Sequence, residues 1–478
     1  MNEPSNASPA SVADSVREEL SDWRRWAARA VVLGFAVLAG LSVVLLTRLS
    51  EWALSGFFRI TESHPGWALV WTPLVTAAVV WLTRRWAPGA AGSGIPQVLA
   101  ALDQNVPPQQ RGLFVSLRLS VAKLLLTTGS LLAGLSTGRE GPSVQVAAGV
   151  MHHARRWLPR GSQISERSLM VAGGAAGVGA AFNTPLGGVM FAIEQLSRKP
   201  EDRSSGLLIA AIVLSGLIAV SIYGDKAYFG EIQTSASPAA LWWPGLCIAL
   251  ATGLAGGVFS RLVVQSLVGG HDRLSRWRER RPVAFAAACG LAVAVIGVVS
   301  GGATFGSGYA TTHTLLTGQD DTHALYAPLR FLATWLSAWS GAPGGVFAPS
   351  LAIGAGIGSD VAQWLGHLRE PAFIALGMVG FLAAATQAPI TAFIIVMEMV
   401  EGHALVLSLM ACAMVASAVS RLVSAPMYAA LAQAQLQRCS QPANDCSADR
   451  PPETTPSRPC PPDGTPPQTV GDHRPLSP

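Results

Sequence analysis

The chain has 478 residues, of which 50% are hydrophobic and 13% charged, with a formal net charge of +5. A soluble protein of this size carries about 25% charged residues, so a single water-soluble globule is excluded. The basic residues lie scattered between apolar stretches, which argues against a nucleic-acid-binding patch and makes the net charge a matter of membrane topology.

In chain order, residues 1–28 are polar and lack the short apolar core and cleavage site of a secretory signal. Arg24, Arg25 and Arg29 precede the first apolar stretch, which predicts a cytoplasmic N-terminus. Uncharged stretches then cover residues 30–47, 67–83, 204–224, 233–260, 282–319, 331–359, 371–397 and 402–420. Crossing a bilayer takes about 20 apolar residues, and several of these reach that length. The chain therefore reads as an all-α polytopic membrane protein. The dense basic run 272–282 predicts a second cytoplasmic loop. Residues 438–478 are rich in Pro, Ser, Thr and Asp and predict a disordered, cytoplasmic tail. Cys247, Cys289 and Cys412 lie in apolar stretches, whereas Cys439, Cys446 and Cys460 lie in the tail without metal-site spacing. Nothing here asks for a disulfide framework, a metal or a cofactor.

The sequence repeats itself. GREGPS (Gly138 to Ser143) and GVFAPS (Gly345 to Ser350) share Gly-x-x-x-Pro-Ser. FNTPLGGVMFAIE ends at Glu194 and TQAPITAFIIVME at Glu398, with Pro185 and Pro389 each nine positions before the glutamate. Gly-Ser-Gly stands upstream in both, at Gly92 to Gly94 and Gly306 to Gly308. Three matches in one order imply two homologous halves, about 29–225 and 235–437. Many transporters are built from such repeats, with the site where broken helices of both halves meet.

GSGIPQ, Gly92 to Gln97, reads as a glycine turn feeding a helix near Ile95 or Pro96. Pro142 and Pro349 stand early in two further helices of the same kind. A helix N-terminus offers free N–H groups and partial positive charge, which suits an anion. Ser93 adds a hydroxyl donor. Unwound backbone is tolerated inside a membrane only where protein or a water-filled cavity surrounds it. Three helix starts meeting at one buried anion site would satisfy that rule.

Arg139 and Glu140 are adjacent charges within this apolar setting. An intramembrane carboxylate is a functional candidate. Ionised, Glu140 would sit where an anion sits; protonated, it would let go, acting as gate and proton carrier together. Arg139 would offset local negative charge or anchor the turn. A structural Arg–Glu pair at a helix start fits the spacing equally well.

GSGIP, GREGP and GVFAP, with FNTPLGGVMFAIE between the last two, resemble the CLC family of chloride channels and chloride/proton exchangers. The resemblance runs from the first span to about residue 437. It implies two inverted repeats of tilted and re-entrant helices in residues 29–437, without the nucleotide-sensing domains of many eukaryotic members. It also implies a homodimer with one pathway per subunit, in a bacterial-type inner membrane. By position, Ser93 resembles the central chloride-coordinating serine, and serine there goes with chloride whereas proline goes with nitrate. The amides of Val346 and Phe347 resemble the other central donors, Tyr428 the inner tyrosine, and Glu140 the gating glutamate. Gly92, Gly94, Ile95, Pro96, Gly138, Arg139, Gly141, Pro142, Gly345, Ala348 and Pro349 complete the filter motifs.

One departure concerns coupling. The position of the usual inner proton-accepting glutamate holds Gln195, and Gln97 and Leu99 are uncharged where some exchangers carry glutamates. This predicts a channel or a loosely coupled transporter. The alternative is a coupled chloride/proton antiporter that uses water or Glu194 at the inner end. The match of Glu194 to Glu398 predicts a structural role for it. His152 and His153 read as solvated residues at a helix end. An intramembrane enzyme would want a second catalytic group near Glu140, and none stands at suitable spacing; a non-transporting scaffold would have no use for the filter motifs.

Overall fold

The computed structural model describes residues 23–440, apart from residues 63, 163, 198–204, 225–227, 233–237, 271, 319–324 and 367–370. Most of the polar N-terminal segment and the tail beyond residue 440 lie outside the described residues. Residues up to Leu436 fall in one compact unit and the chain from Gln437 onward in a second.

The described residues are helical almost throughout. The first helix, α1 (Trp23–Glu62), shows why. Its buried residues include Val32, Ala36, Ala39, Val43, Leu46, Ser50, Ala53 and Phe57, alternating steps of three and four along one stripe. The opposite face carries exposed Leu38, Leu41, Leu45 and Trp52. A helix apolar on both faces suits lipid on one side and protein on the other. At about 60 Å it is far longer than a bilayer core of about 30 Å.

Six helices among the described residues are long and apolar enough to cross a membrane: Trp23–Glu62, Pro65–Trp86, Gly206–Tyr223, Leu241–Val268, Pro282–Val299 and His403–Val423. After α1 the first half carries α2 (Ala68–Trp86), α3 (Ile95–Ala101), α4 (Leu117–Leu132), α5 (Glu140–His153), α6 (Glu166–Phe182), α7 (Pro185–Phe191) and α8 (Ser205–Tyr223). The second half carries α9 (Pro238–Val268), α10 (Pro282–Val299), α11 (Tyr309–Leu316), α12 (Tyr326–Trp339), α13 (Phe347–Trp364), α14 (Pro371–Thr386), α15 (Pro389–Met399), α16 (Val406–Val423) and α17 (Met427–Ser440). Three of the apolar stretches are therefore broken helices, not single spans. Residues 282–319 turn after Val299, 331–359 turn at Gly341, and 371–397 turn at Gln387.

The two halves match element by element. The turns before α7 and α15 both use a non-glycine residue in the left-handed region, Asn183 (φ 57°) and Gln387 (φ 55°). Each stands two positions before its proline. The α5/α6 and α13/α14 pairs are the most closely packed in their halves. Small residues permit this approach: a Cβ on Gly377 would stand 2.1 Å from the Gly354 carbonyl oxygen, and one on Gly177 2.5 Å from that of Ser143. α5 and α13 are buried along most of their length, so their first residues open into protein. Of the cysteines in apolar stretches, Cys289 and Cys412 are buried, but Cys247 is only half-buried because its side of α9 faces outward.

Candidate functional site at the junction of three turns

The Gly-Ser-Gly turn before α3 puts Gly92 (φ 72°) and Gly94 (φ 109°) in a region that side chains avoid. A Cβ on Gly94 would stand 2.6 Å from the Gly141 carbonyl oxygen. The carbonyls of residues 90–92 are all engaged. Lys123 Nζ donates to Ala90 O (2.8 Å) and Gly92 O (2.5 Å). Gln97 Nε2 donates to Ala91 O (2.5 Å), and the Gly344 N–H donates to Gly92 O (3.1 Å). Gln97 Oε1 accepts from the Gly94 N–H (3.0 Å). The expected open N-terminus after GSGIP is thus partly closed by its own glutamine, and α3 is only seven residues long. Ile95 and Pro96 are buried behind it. What the turn offers is the Ser93 hydroxyl.

The second and third turns are joined directly. Gly138 and Gly345 exchange two backbone hydrogen bonds, both 2.7 Å, as an antiparallel bridge. Gly141 lies against Ser93: a Cβ there would stand 2.4 Å from Ser93 Oγ and 3.3 Å from the Gly345 Cα. All three signatures therefore meet, as their shared composition predicts.

α5 and α13 begin alike. Glu140 and Phe347 are their first residues, Pro142 and Pro349 their third, and neither helix has a side-chain cap. Their first N–H groups are left facing the junction. Val346, Phe347 and Ala348 are all buried there. Glu140 is 1% exposed. Its carboxylate folds back over Gly138, toward the amides of Arg139, Glu140 and Ala348. Neither oxygen closes a hydrogen bond of normal geometry.

Arg139 turns the other way. Its Nη1 donates to Glu51 Oε1 (3.2 Å) and its Nη2 to the Tyr228 hydroxyl (3.4 Å). The adjacent charges thus part: Arg139 anchors to α1 and lines a cavity of about 330 Å³ with Tyr228, Tyr309, Ser307 and Asn183. The alternative of a closed Arg139–Glu140 pair is not what the side chains form.

Tyr428, second residue of α17, is 1% exposed. Its ring stacks on Phe347, with centroids 6.0 Å apart and planes at 12°. Its hydroxyl approaches Ser93, yet neither hydroxyl closes a hydrogen bond of normal geometry. Ser93 Oγ, the Tyr428 hydroxyl and both Glu140 oxygens are thus buried polar atoms with no protein hydrogen bond of normal geometry, gathered at one junction. Buried polar groups are almost always paired. A cluster of orphans between uncapped helix starts has the form of a ligand position.

On the Tyr428 side a cavity of about 800 Å³ opens, lined in part by Leu99, Asp103, Glu194, Gln195, Arg421 and Tyr428. Gln195 Nε2 donates to Thr386 O (3.3 Å). Glu194 is held at a helix end: its carboxylate accepts from the N–H groups of Ile390 (3.2 Å) and Thr391 (2.7 Å). Glu398 does the same for Leu186 (3.2 Å) and Gly187 (2.7 Å). His152 is not simply solvated. It meets Glu166 at 2.5 Å, which also binds Arg111 and Arg155.

Two residues near the site escaped the sequence reading, Lys123 and Arg330. Both are fully buried. Their signal was available: each stands fifteen positions before the first glycine of its signature, Gly138 or Gly345.

Residues 75–421 match the family described as "Voltage gated chloride channel". The chain is 29% identical over 418 residues to the H(+)/Cl(−) exchange transporter ClcA of Cronobacter sakazakii, covering 83% of this chain and 87% of that one. It is 28% identical over 380 residues to ClcA of Salmonella typhi, covering 76% and 78%. Among solved structures it resembles a slow cyanobacterial Cl⁻/H⁺ antiporter, with a TM-score of 0.70, 27% identity, and 86% of this chain and 97% of that one covered. A CLC-type fluoride/proton antiporter shares the fold at 21% identity and a TM-score of 0.69, over 88% of this chain and 99% of that one. The match covers most of the chain and includes all three turns, so the protein belongs to the CLC, or voltage-gated chloride channel, family.

Proposed function

We propose that the chain is a coupled chloride/proton antiporter, with Glu140 as both gate and proton carrier. The observation that carries this reading is the cluster of orphaned atoms, Ser93 Oγ, the Tyr428 hydroxyl and the Glu140 carboxylate, between two uncapped helix starts. A site of hydroxyls and amides with few full charges repays part of an anion's dehydration and still releases it. Chloride would be held by Ser93, Tyr428 and the amides of Val346 and Phe347. Ionised Glu140 would occupy the next position, against the Ala348 amide. Protonation removes its attraction to those amides and opens the path.

Gln195 alone favours a channel or a loosely coupled transporter. The relatives and the structural neighbour above 25% identity are named as exchangers, which favours coupling. Glu194 spends its carboxylate on two backbone amides, so water in the roughly 800 Å³ cavity is the better proton carrier at that end. By the positive-inside rule, Arg24, Arg25 and Arg29 before the first span favour a cytoplasmic N-terminus in a bacterial inner membrane. Exposed apolar Leu186, Ile193 and Ile390 on and beside α7 and α15 suit a second copy of the chain in a homodimer.

The test is chloride-driven proton movement in proteoliposomes. A chloride gradient should drive uphill proton movement in the wild type and none in Glu140→Ala. Chloride flux without any proton movement would return the protein to the passive reading. No chloride flux at all would reject both.

A further inference from the structure

Lys123 lies in α4 and Arg330 in α12, both fully buried. They hold equivalent positions in the two repeats, and both donate to the first glycine carbonyl of their turn, Gly92 or Gly306, and to one carbonyl just before it. Lys123 Nζ donates to the carbonyls of Ala90 and Gly92 (2.8 and 2.5 Å). Arg330 Nη1 donates to that of Phe305 (3.3 Å) and Nη2 to that of Gly306 (2.7 Å). In each half a buried basic side chain grips the backbone leading into the Gly-Ser-Gly turn. Among the described residues neither belongs to an ion pair. Burying a charge without an opposite charge is costly. A basic residue inside a membrane protein marks function by default. Packing alone would be served by an apolar side chain.

The need for a donor at this place follows from the turn. A carbonyl oxygen carries partial negative charge and repels an anion. Residues 90–92 present three carbonyls in succession, beside the hydroxyl of Ser93. Lys123, Gln97 and the Gly344 N–H engage all three. With both turn glycines in the left-handed region, the backbone has little steric resistance to rotating a peptide the other way. Lys123 supplies the hold that glycine cannot.

We propose that Lys123 is the positioning residue of the chloride site. It fixes the Gly-Ser-Gly turn with its carbonyl oxygens away from the anion and the Ser93 hydroxyl toward it. Arg330 holds the second turn in the same way, and Ser307 of that turn lines the cavity beside Arg139. The proposal rests on the reading of Ser93 as a chloride ligand.

The experiment compares wild type, Lys123→Arg, Lys123→Gln and Lys123→Met as purified full-length protein. Chloride Kd is measured by calorimetry, and chloride against nitrate flux in proteoliposomes. Lys123→Met should weaken chloride binding about tenfold or more and flatten the preference over nitrate. Lys123→Gln, which keeps a donor, should fall between. Lys123→Arg should restore both. A folded Lys123→Met with the wild-type Kd and anion order overturns the proposal. So does failure of the Gln and Met variants to fold beside a fully normal Arg variant, since the role is then structural. A wild type that binds no chloride overturns the underlying reading of Ser93, and is told apart by failing before any substitution is made.

Discussion

Glu194 and Glu398 each hold the helix that leads to the other. Glu194 accepts from the Ile390 and Thr391 N–H groups at the start of α15, and Glu398 from those of Leu186 and Gly187 at the start of α7. Each carboxylate therefore caps an orphan helix end and lies favourably at the positive end of its dipole. The crossed arrangement locks α7 to α15 across the two repeats, beside the cavity below Tyr428.

Replacing Glu194 by Gln keeps an acceptor but removes the charge, which costs about 1 kcal/mol at a helix start. The expected result is a lowered Tm in detergent with an unchanged ratio of protons to chloride. A changed ratio at the wild-type Tm would instead put Glu194 on the proton route.

Glu140→Gln mimics the protonated gate permanently. Chloride flux should become independent of pH, whereas wild-type flux should rise as pH falls and the carboxylate takes up its proton. Parallel flux measurements across the acid range decide this. A mutant that keeps the wild-type pH profile would exclude Glu140 as the gate.

Gly141→Ala places a methyl group 2.4 Å from Ser93 Oγ. The Ser93 carbonyl oxygen would stand at 2.8 Å as well, against 3.4 Å for ordinary contact, so the Ser93 turn must shift to admit it. Chloride affinity should drop about tenfold or more, the scale of losing a hydrogen bond to a charged group. Calorimetry on the folded variant provides the check, and an unchanged Kd would show that Ser93 does not touch the anion.

Ser93→Pro removes the one hydroxyl that the first turn presents. The expected outcome is a shift of preference from chloride toward nitrate in competitive flux. An unaltered anion ranking would count against Ser93 as the selective group.

The site was legible in the sequence because glycine and proline act locally. Gly92, Gly94, Pro142 and Pro349 announce turns and helix starts wherever they stand, and the internal repeat says that the turns belong together. The spans were less legible. Hydropathy cannot separate one long helix from two short ones, so the break at Gln387 stayed hidden inside its uncharged run. The closure of α3 by Gln97 depends on a side-chain rotamer, which no pattern reveals. Lys123 and Arg330 were overlooked because a lone basic residue in an apolar run suggests a span end. Only their matched distance to the two signatures distinguishes them.

The twin hydrogen bonds between Gly138 and Gly345 also set a schedule for biogenesis. The first half leaves the ribosome with Ser93 and Glu140 already made, but the strand-like partner lies about 200 residues later, some 10–40 s at ordinary rates of synthesis. For that interval the nascent chain carries an unfinished, polar cleft in the lipid phase. The cleft closes only when Gly345 arrives to pair with Gly138.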